Sequence, residues 1–147
     1  MSEIAFHTGL PDKLLYACRL VRKARRSGVR ITLSGAPADL ARLDAMLWSF
    51  DPLEFLPHVR AAQASAVAPR LADTPVLLLA DARESPARDV LVHLGPEDAE
   101  GGAAFGRWIE LVGTDEDDAR AARQRWRRYQ AAGHAVVHHL PRPEAAP

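Results

Sequence analysis

The sequence lacks any apolar run approaching the ~18 residues that a membrane-crossing helix needs. Its start, Met1-Ser2-Glu3-Ile4, has neither the basic opening nor the apolar core of a secretion signal. A soluble, cytoplasmic protein is expected. Cysteine is nearly absent: Cys18 stands alone, which excludes an internal disulfide and any multi-cysteine zinc site. Its neighbours Leu14, Ala17 and Val21 mark it as a small buried hydrophobe rather than a nucleophile. Net charge is missing as well, with 19 basic against 19 acidic residues, so the chain does not coat nucleic acid by charge alone. That balance hides segregation. Arginines concentrate in 19–30 and 120–128, whereas 115–118 is an unbroken acidic run, and such local patches say more than the total.

The motifs of common chemistries are also missing. A phosphate cradle needs glycines where a strand meets a helix, because only glycine lets backbone N–H groups approach the phosphate. The two candidate junctions, His7-Thr8-Gly9-Leu10-Pro11-Asp12 and Leu33-Ser34-Gly35-Ala36-Pro37, each hold one glycine, and no P-loop lysine follows. Ser34 lacks the first glycine of a nucleophile elbow. Among the six histidines there is no H-x-x-x-H with a neighbouring glutamate. His138 and His139, being adjacent on a strand, point to opposite faces. The acids of 115–118 complement the dipole of a helix N-terminus, and Thr114 with Asp117 resembles a capping box. No catalytic residue, metal or cofactor is expected.

What is present is a chain of 147 residues, 48% hydrophobic, enough for one domain with a core. Residues 4–7 read as a first strand. Leu14, Ala17, Cys18, Val21 and Ala24 recur at three- and four-residue steps along a helix begun at Pro11-Asp12, and Gly28 ends it as a left-handed cap. Val29 to Leu33 follows as a β-branched strand, then a helix burying Leu40, Leu43 and Leu47. The alanine-rich 61–75 reads as a loop, and Val76-Leu77-Leu78-Leu79-Ala80 as a strand covered on both faces. Residues 89–94 and 108–112 give further strands, with a polar loop over 81–88. A helix over about 115–132 ends at Gly133, and 135–138 supplies a last short strand. The alternation favours a single α/β domain over 1–140 with a mostly parallel sheet, followed by a frayed tail, 141–147. There is no internal repeat.

On a helical wheel Ala119, Ala122, Trp126 and Tyr129 share one side and form the core-facing stripe. Arg120, Arg123 and Arg127 make a second stripe along the Trp126 edge, Arg125 borders the opposite edge, and Arg128 points away. A guanidinium row offers forked donors to carboxylates, and the indole beside it offers apolar area with little entropy to lose. Together they suit a peptide that is acidic and aromatic-tipped. The bland alternative is an ordinary amphipathic helix with solvated arginines, and spacing alone leaves both open. The segment 47–58, Leu-Trp-Ser-Phe-Asp-Pro-Leu-Glu-Phe-Leu-Pro-His, crowds three aromatics and two prolines after a helix. An aromatic held exposed there would mark a contact site; folded under, it would be core.

Several segments carry a resemblance. Cys18-Arg19-Leu20 with Lys23-Ala24, Gly28-Val29-Arg30, Leu43-Asp44-Ala45-Met46-Leu47-Trp48 and Phe55-Leu56-Pro57-His58 are similar to the chi subunit family of bacterial DNA polymerase III. Arg88-Asp89-Val90-Leu91-Val92 and the run 123–133 extend the match. The Leu-Trp-x-Phe-x-Pro…Phe-x-Pro-His block is its most specific element. The resemblance implies a Rossmann-like three-layer fold without a nucleotide site, and a non-catalytic accessory subunit of the clamp-loader assembly in DNA replication. It implies two partners: the psi subunit, and the acidic, phenylalanine-ended C-terminal tail of single-stranded DNA-binding protein. Carried over, the tail site comprises Val112, Arg123, Trp126 and Arg127, with Val136 as a further wall. A basic residue expected in the first turn of the helix is Ala119 here, for which Arg120 next door is the candidate substitute. The psi surface, shared in some relatives with a helicase, falls on Trp48, Phe55, Pro57 and His58. A small α/β enzyme or nucleotide-binding protein is the other reading, and only the strand–helix alternation supports it.

Overall fold

The computed structural model describes residues 3–50, 57–61 and 74–140. Within these, seven strands form one sheet and three helices pack on it. In chain order the elements are β1 (Glu3–Leu10), α1 (Lys13–Ser27), β2 (Ile31–Ser34), α2 (Pro37–Ser49), β3 (Val59–Ala61), β4 (Val76–Leu79), β5 (Val90–His93), β6 (Arg107–Gly113), α3 (Glu116–Ala131) and β7 (Ala135–His139). The sheet order is β3-β4-β2-β5-β6-β1-β7, and every pairing is parallel.

Local chemistry sets the helix ends. The Asp12 carboxylate accepts from the Leu15 amide at 3.0 Å and starts α1. Gly28, at φ 75°, closes it with its amide on the Ala24 and Arg25 carbonyls, a left-handed geometry that a β-carbon disfavours. The start of α3 differs from the sequence expectation. Its cap is Asp115, whose carboxylate accepts from the Asp118 amide at 3.3 Å, and not Thr114. Asp115 is the residue that is both extended (φ −63°, ψ 136°) and placed for its oxygen to reach an orphan amide of the first turn.

Alternation along the strands sorts residues onto two cores. Ile4 and Phe6 of β1 and Trp108 and Val112 of β6 face α3, with Ala122 and Tyr129. Ile109 and Leu111 face α1 and α2, joining Cys18, Val21, Leu33, Leu43 and Val92. Helices α1 and α2 thus cover one sheet face and α3 the other, giving the expected three layers. Burial pushes the Cys18 thiol up to about 12, so it remains an inert thiol inside the core. Strand β3 is the one element without a sequence signal, being three edge residues with no alternation long enough to read. Most of the expected loop 61–75 and the expected tail 141–147 lie outside the described residues.

Candidate docking pocket on the third helix

Strand β6 delivers α3 to the sheet, and a buried ion pair fixes it there. The side of β6 that faces the helix reads Trp108, Glu110, Val112, so a carboxylate sits in the middle of an apolar face. Glu110 and Arg125 are both fully buried, and the Arg125 Nε donates to Glu110 Oε1 at 2.8 Å. Trp108 Nε1 donates to Glu110 Oε2 at 2.8 Å, and the Tyr129 hydroxyl donates to the same oxygen at 3.2 Å. That hydroxyl accepts from the Ala99 amide at 2.9 Å, while Arg125 Nη1 donates to the Pro96 carbonyl at 3.1 Å. Burial, then the Glu110 charge, holds the Tyr129 hydroxyl well above its usual range. Gly95 makes the room: a β-carbon there would lie 2.9 Å from Arg125 Nη1. The helical wheel had placed Arg125 on a border of the helix, and the structure corrects this. A guanidinium joins the buried stripe because Glu110 supplies the charge without which its burial would be prohibitive.

With Arg125 turned inward, the opposite border of α3 overhangs β1. A pocket of about 640 Å³ opens there, floored by Phe6, Val112 and Ala122 and flanked by Trp126, Arg123 and Arg127. The Trp126 ring leans on Phe6, centroids 5.1 Å apart, and stays half-buried. Arg123 and Arg127 are exposed, and among the described residues no acid lines the pocket. The other arginines of the helix are engaged. Arg120 Nη1 meets Asp117 Oδ1 at 3.3 Å, Arg125 holds Glu110, and Arg128 Nη2 meets Asp98 Oδ1 at 2.6 Å. Neither Arg123 nor Arg127 has a carboxylate within 4.0 Å among the described residues.

The structure therefore brings Val112, Arg123, Trp126 and Arg127 together. Arg120 lies outside the pocket lining, spent on Asp117, while Ala119 is part of the wall. Val136 is half-buried and packs on the α3-side core, also outside the lining. Sequence reasoning missed Phe6, Thr8 and His138, which reach the pocket from β1 and β7. The available signal was the period-2 alternation of Ile4, Phe6 and Thr8, which places all three on one face; nothing in the sequence says which helix covers that face.

At the far side of the molecule Trp48 is 61% exposed at the end of α2. Its ring lies 4.6 Å from that of His58, which is buried and sits 3.1 Å from Asp44 Oδ1. Pro57 is half-buried beside them. Phe55 lies outside the described residues.

A polar cleft of about 740 Å³ at the carboxyl ends of β2, β4 and β5 occupies the place where open α/β sheets bind nucleotides. Its arginines are already held: Arg83 by Asp81 at 2.8 Å and Glu100 at 2.9 Å, and Arg128 by Asp98. Glu97 adds another acid to the lining, so its charge opposes a phosphate. Among the described residues, no group of three or more His, Cys, Asp or Glu is placed to hold a metal. None of the described helices is long and apolar enough to cross a membrane.

An apolar cup rimmed by two uncommitted arginines lies on the helix that carries the family-like run 123–133. A family model described as "DNA polymerase III chi subunit, HolC" matches residues 1–137. The chain belongs to that family. It is similar to DNA polymerase III subunit chi of Pseudomonas aeruginosa, with 35% identity over 132 residues, 88% of each chain. The chi subunits of Haemophilus influenzae and Escherichia coli are 29% and 28% identical, over 80% and 79% of this chain and 79% and 77% of theirs. As a chi-family protein, the chain is an accessory subunit of the DNA polymerase III of replication. Its fold is also like that of the C-terminal domain of S. cerevisiae Dbp5, solved bound to Gle1 and IP6. The TM-score is 0.55 at 12% identity, covering 94% of this chain and 90% of that one. At this identity the likeness shows the fold alone.

Proposed function

We propose that this chi-family chain is a non-catalytic, cytoplasmic connector within the clamp-loader assembly. Its α3 pocket receives the acidic, phenylalanine-ended C-terminal tail of single-stranded DNA-binding protein. The Trp48 surface, with Phe55, Pro57 and His58, holds psi or, in some settings, a helicase. The single observation that carries the tail site is the division of the α3 arginines. Three meet a carboxylate within the chain, and the two left over, Arg123 and Arg127, border an apolar pocket whose described lining holds no carboxylate. That combination fits a ligand with an aromatic tip and several negative charges. The tip buries against Phe6, Val112 and Trp126, which is the larger source of affinity. The carboxylates take the guanidinium forks, which fixes orientation.

Titration of a labelled acidic peptide ending in proline-phenylalanine tests this. Arg123→Ala and Trp126→Ala are each expected to raise Kd by at least about tenfold, the scale of an interfacial arginine or aromatic anchor. Arg120→Ala should change it little. Affinity should fall as salt rises, because the rim charges are screened. Parent-like binding by both Arg123→Ala and Trp126→Ala would remove the tail from this pocket. Trp48→Ala should release psi while leaving the peptide affinity intact.

A further inference from the structure

The α3 pocket has a third chargeable wall, contributed by an element that the helix pattern does not reveal. Strand β7 lies beside β1 with His138 opposite Phe6, so His138 projects onto the α3 side of the sheet. His139 projects to the other side, its ring 4.3 Å from that of His7. The His138 imidazole is exposed and lines the pocket. Its ring stands edge-on to Trp126 with centroids 6.5 Å apart. Nε2 is hydrogen-bonded with Thr8 Oγ1, which ties one nitrogen to β1. Nδ1 has no hydrogen-bond partner among the described residues.

We infer that His138 is a third anion-contacting residue of this pocket, and that a carboxylate-bearing peptide binds there with uptake of a proton. The inference rests on the tail reading above and adds a residue and a regulation to it. The groups facing His138 come from three elements. Helix α3 contributes Arg123 and Arg127 as charges, with Trp126 between them. Strand β1 contributes Phe6 and Thr8, neither of which titrates in the relevant range. Strand β7 contributes Val136 on the same face, with His134 at its start. Among the described residues no acid lies in the lining, so the pocket wall presents His138 with cations and apolar groups and leaves a carboxylate to the ligand.

A carboxylate beside an imidazole favours the protonated ring. Peptide carboxylates titrate near pH 4 and arginines above about 12, so both keep their charge between pH 5.5 and 8. Histidine is the group that changes in that window. Affinity for the peptide therefore rises as pH falls through it, and the rise belongs to His138.

Fluorescence anisotropy with the labelled peptide at constant ionic strength, from pH 5.5 to pH 8, reads this directly. The parent chain is expected to bind about sevenfold tighter at pH 5.5 than at pH 8, the size that follows from a bound-state preference of about one pKa unit. His138→Gln removes the titrating ring and keeps a neutral hydrogen-bonding side chain, so its affinity, whatever its level at pH 8, should stay flat to pH 5.5. The His138 ring resonance, followed by NMR, should titrate at higher pH when the peptide is saturating. Equal pH slopes in the parent and His138→Gln overturn the role of His138, as does a parent affinity without pH dependence. In either case Arg123→Ala still weakens binding at every pH, and the tail reading survives. Absence of peptide binding by the parent at all pH values sinks the tail reading, and this inference with it.

Discussion

Arg125 and Arg123 are two positions apart on one helix and have opposite fates. Arg125 has no exposure at all and depends on Glu110, the Pro96 carbonyl and the space above Gly95. Arg123 stands in solvent beside an apolar cup. The difference is made by one residue on another strand, because a buried guanidinium is tolerable only where a carboxylate meets it. Removing one partner should leave the other charge stranded. Arg125→Ala or Glu110→Ala is therefore expected to lose about 3–5 kcal/mol of stability. By calorimetry that appears as a fall in the thermal midpoint of roughly 6–20 °C. The paired change Arg125→Met with Glu110→Leu should lose much less than the sum of the two, since it leaves no uncompensated charge. A near-additive double variant would show that the pair contributes more than mutual compensation.

At the scale of the element, α3 is organised by its termini as much as by its apolar stripe. The acidic run that opens it divides into local tasks: Asp115 caps, Asp117 meets Arg120, and Asp118 takes the Gly113 amide at 2.7 Å and Lys13 at 3.0 Å. These contacts tie the helix start to β6 and α1, just where Gly113, Thr114 and Ala119 form one end of the pocket. Asp115→Ala should destabilise the domain by about 1 kcal/mol, the usual effect of losing an N-cap, seen as a lower denaturant midpoint with unchanged slope. Thr114→Ala should have a far smaller effect, and equal losses would restore the capping box read from the sequence. The extent of this helix was legible to within a residue because caps and charges act within a few residues, although the capping residue itself is Asp115 and not Thr114. The inward turn of Arg125 was not, since the wheel treats an arginine as polar and cannot see Glu110 in the next layer.

For the molecule as a whole, the parallel sheet with helices on both faces buries a group whose protonation opposes the fold. His7 lies under α1, its Nδ1 2.5 Å from the Tyr16 hydroxyl. Burial, followed by the neighbouring His139, Arg107 and Lys23, lowers its pKa to about 4. The unfolded chain takes up a proton near pH 6.5, well before the folded one does. The contribution of His7 to stability is thus complete above about pH 6.5 and is lost as pH falls towards 4. Urea midpoints for the parent should decline through that window. His7→Gln should decline less steeply, and identical profiles would show that His7 is not the group responsible.

The sequence by itself determined the alternation of strands and helices, the buried faces of α1 and α2, the isolation of Cys18, and the placing of Arg123 beside Trp126 on one border of α3. Each of these follows from periodicity or from neighbours within one turn or one strand. Tertiary structure decided that Arg125 and Arg128 are committed, because Glu110 meets the helix from the preceding strand and Asp98 from a loop before that strand. It also decided that Arg120 stays outside the pocket, and that Phe6, Thr8 and His138 complete it. A pocket between a helix and two strands is made by the crossing of three segments, and a linear pattern holds each segment without the crossing.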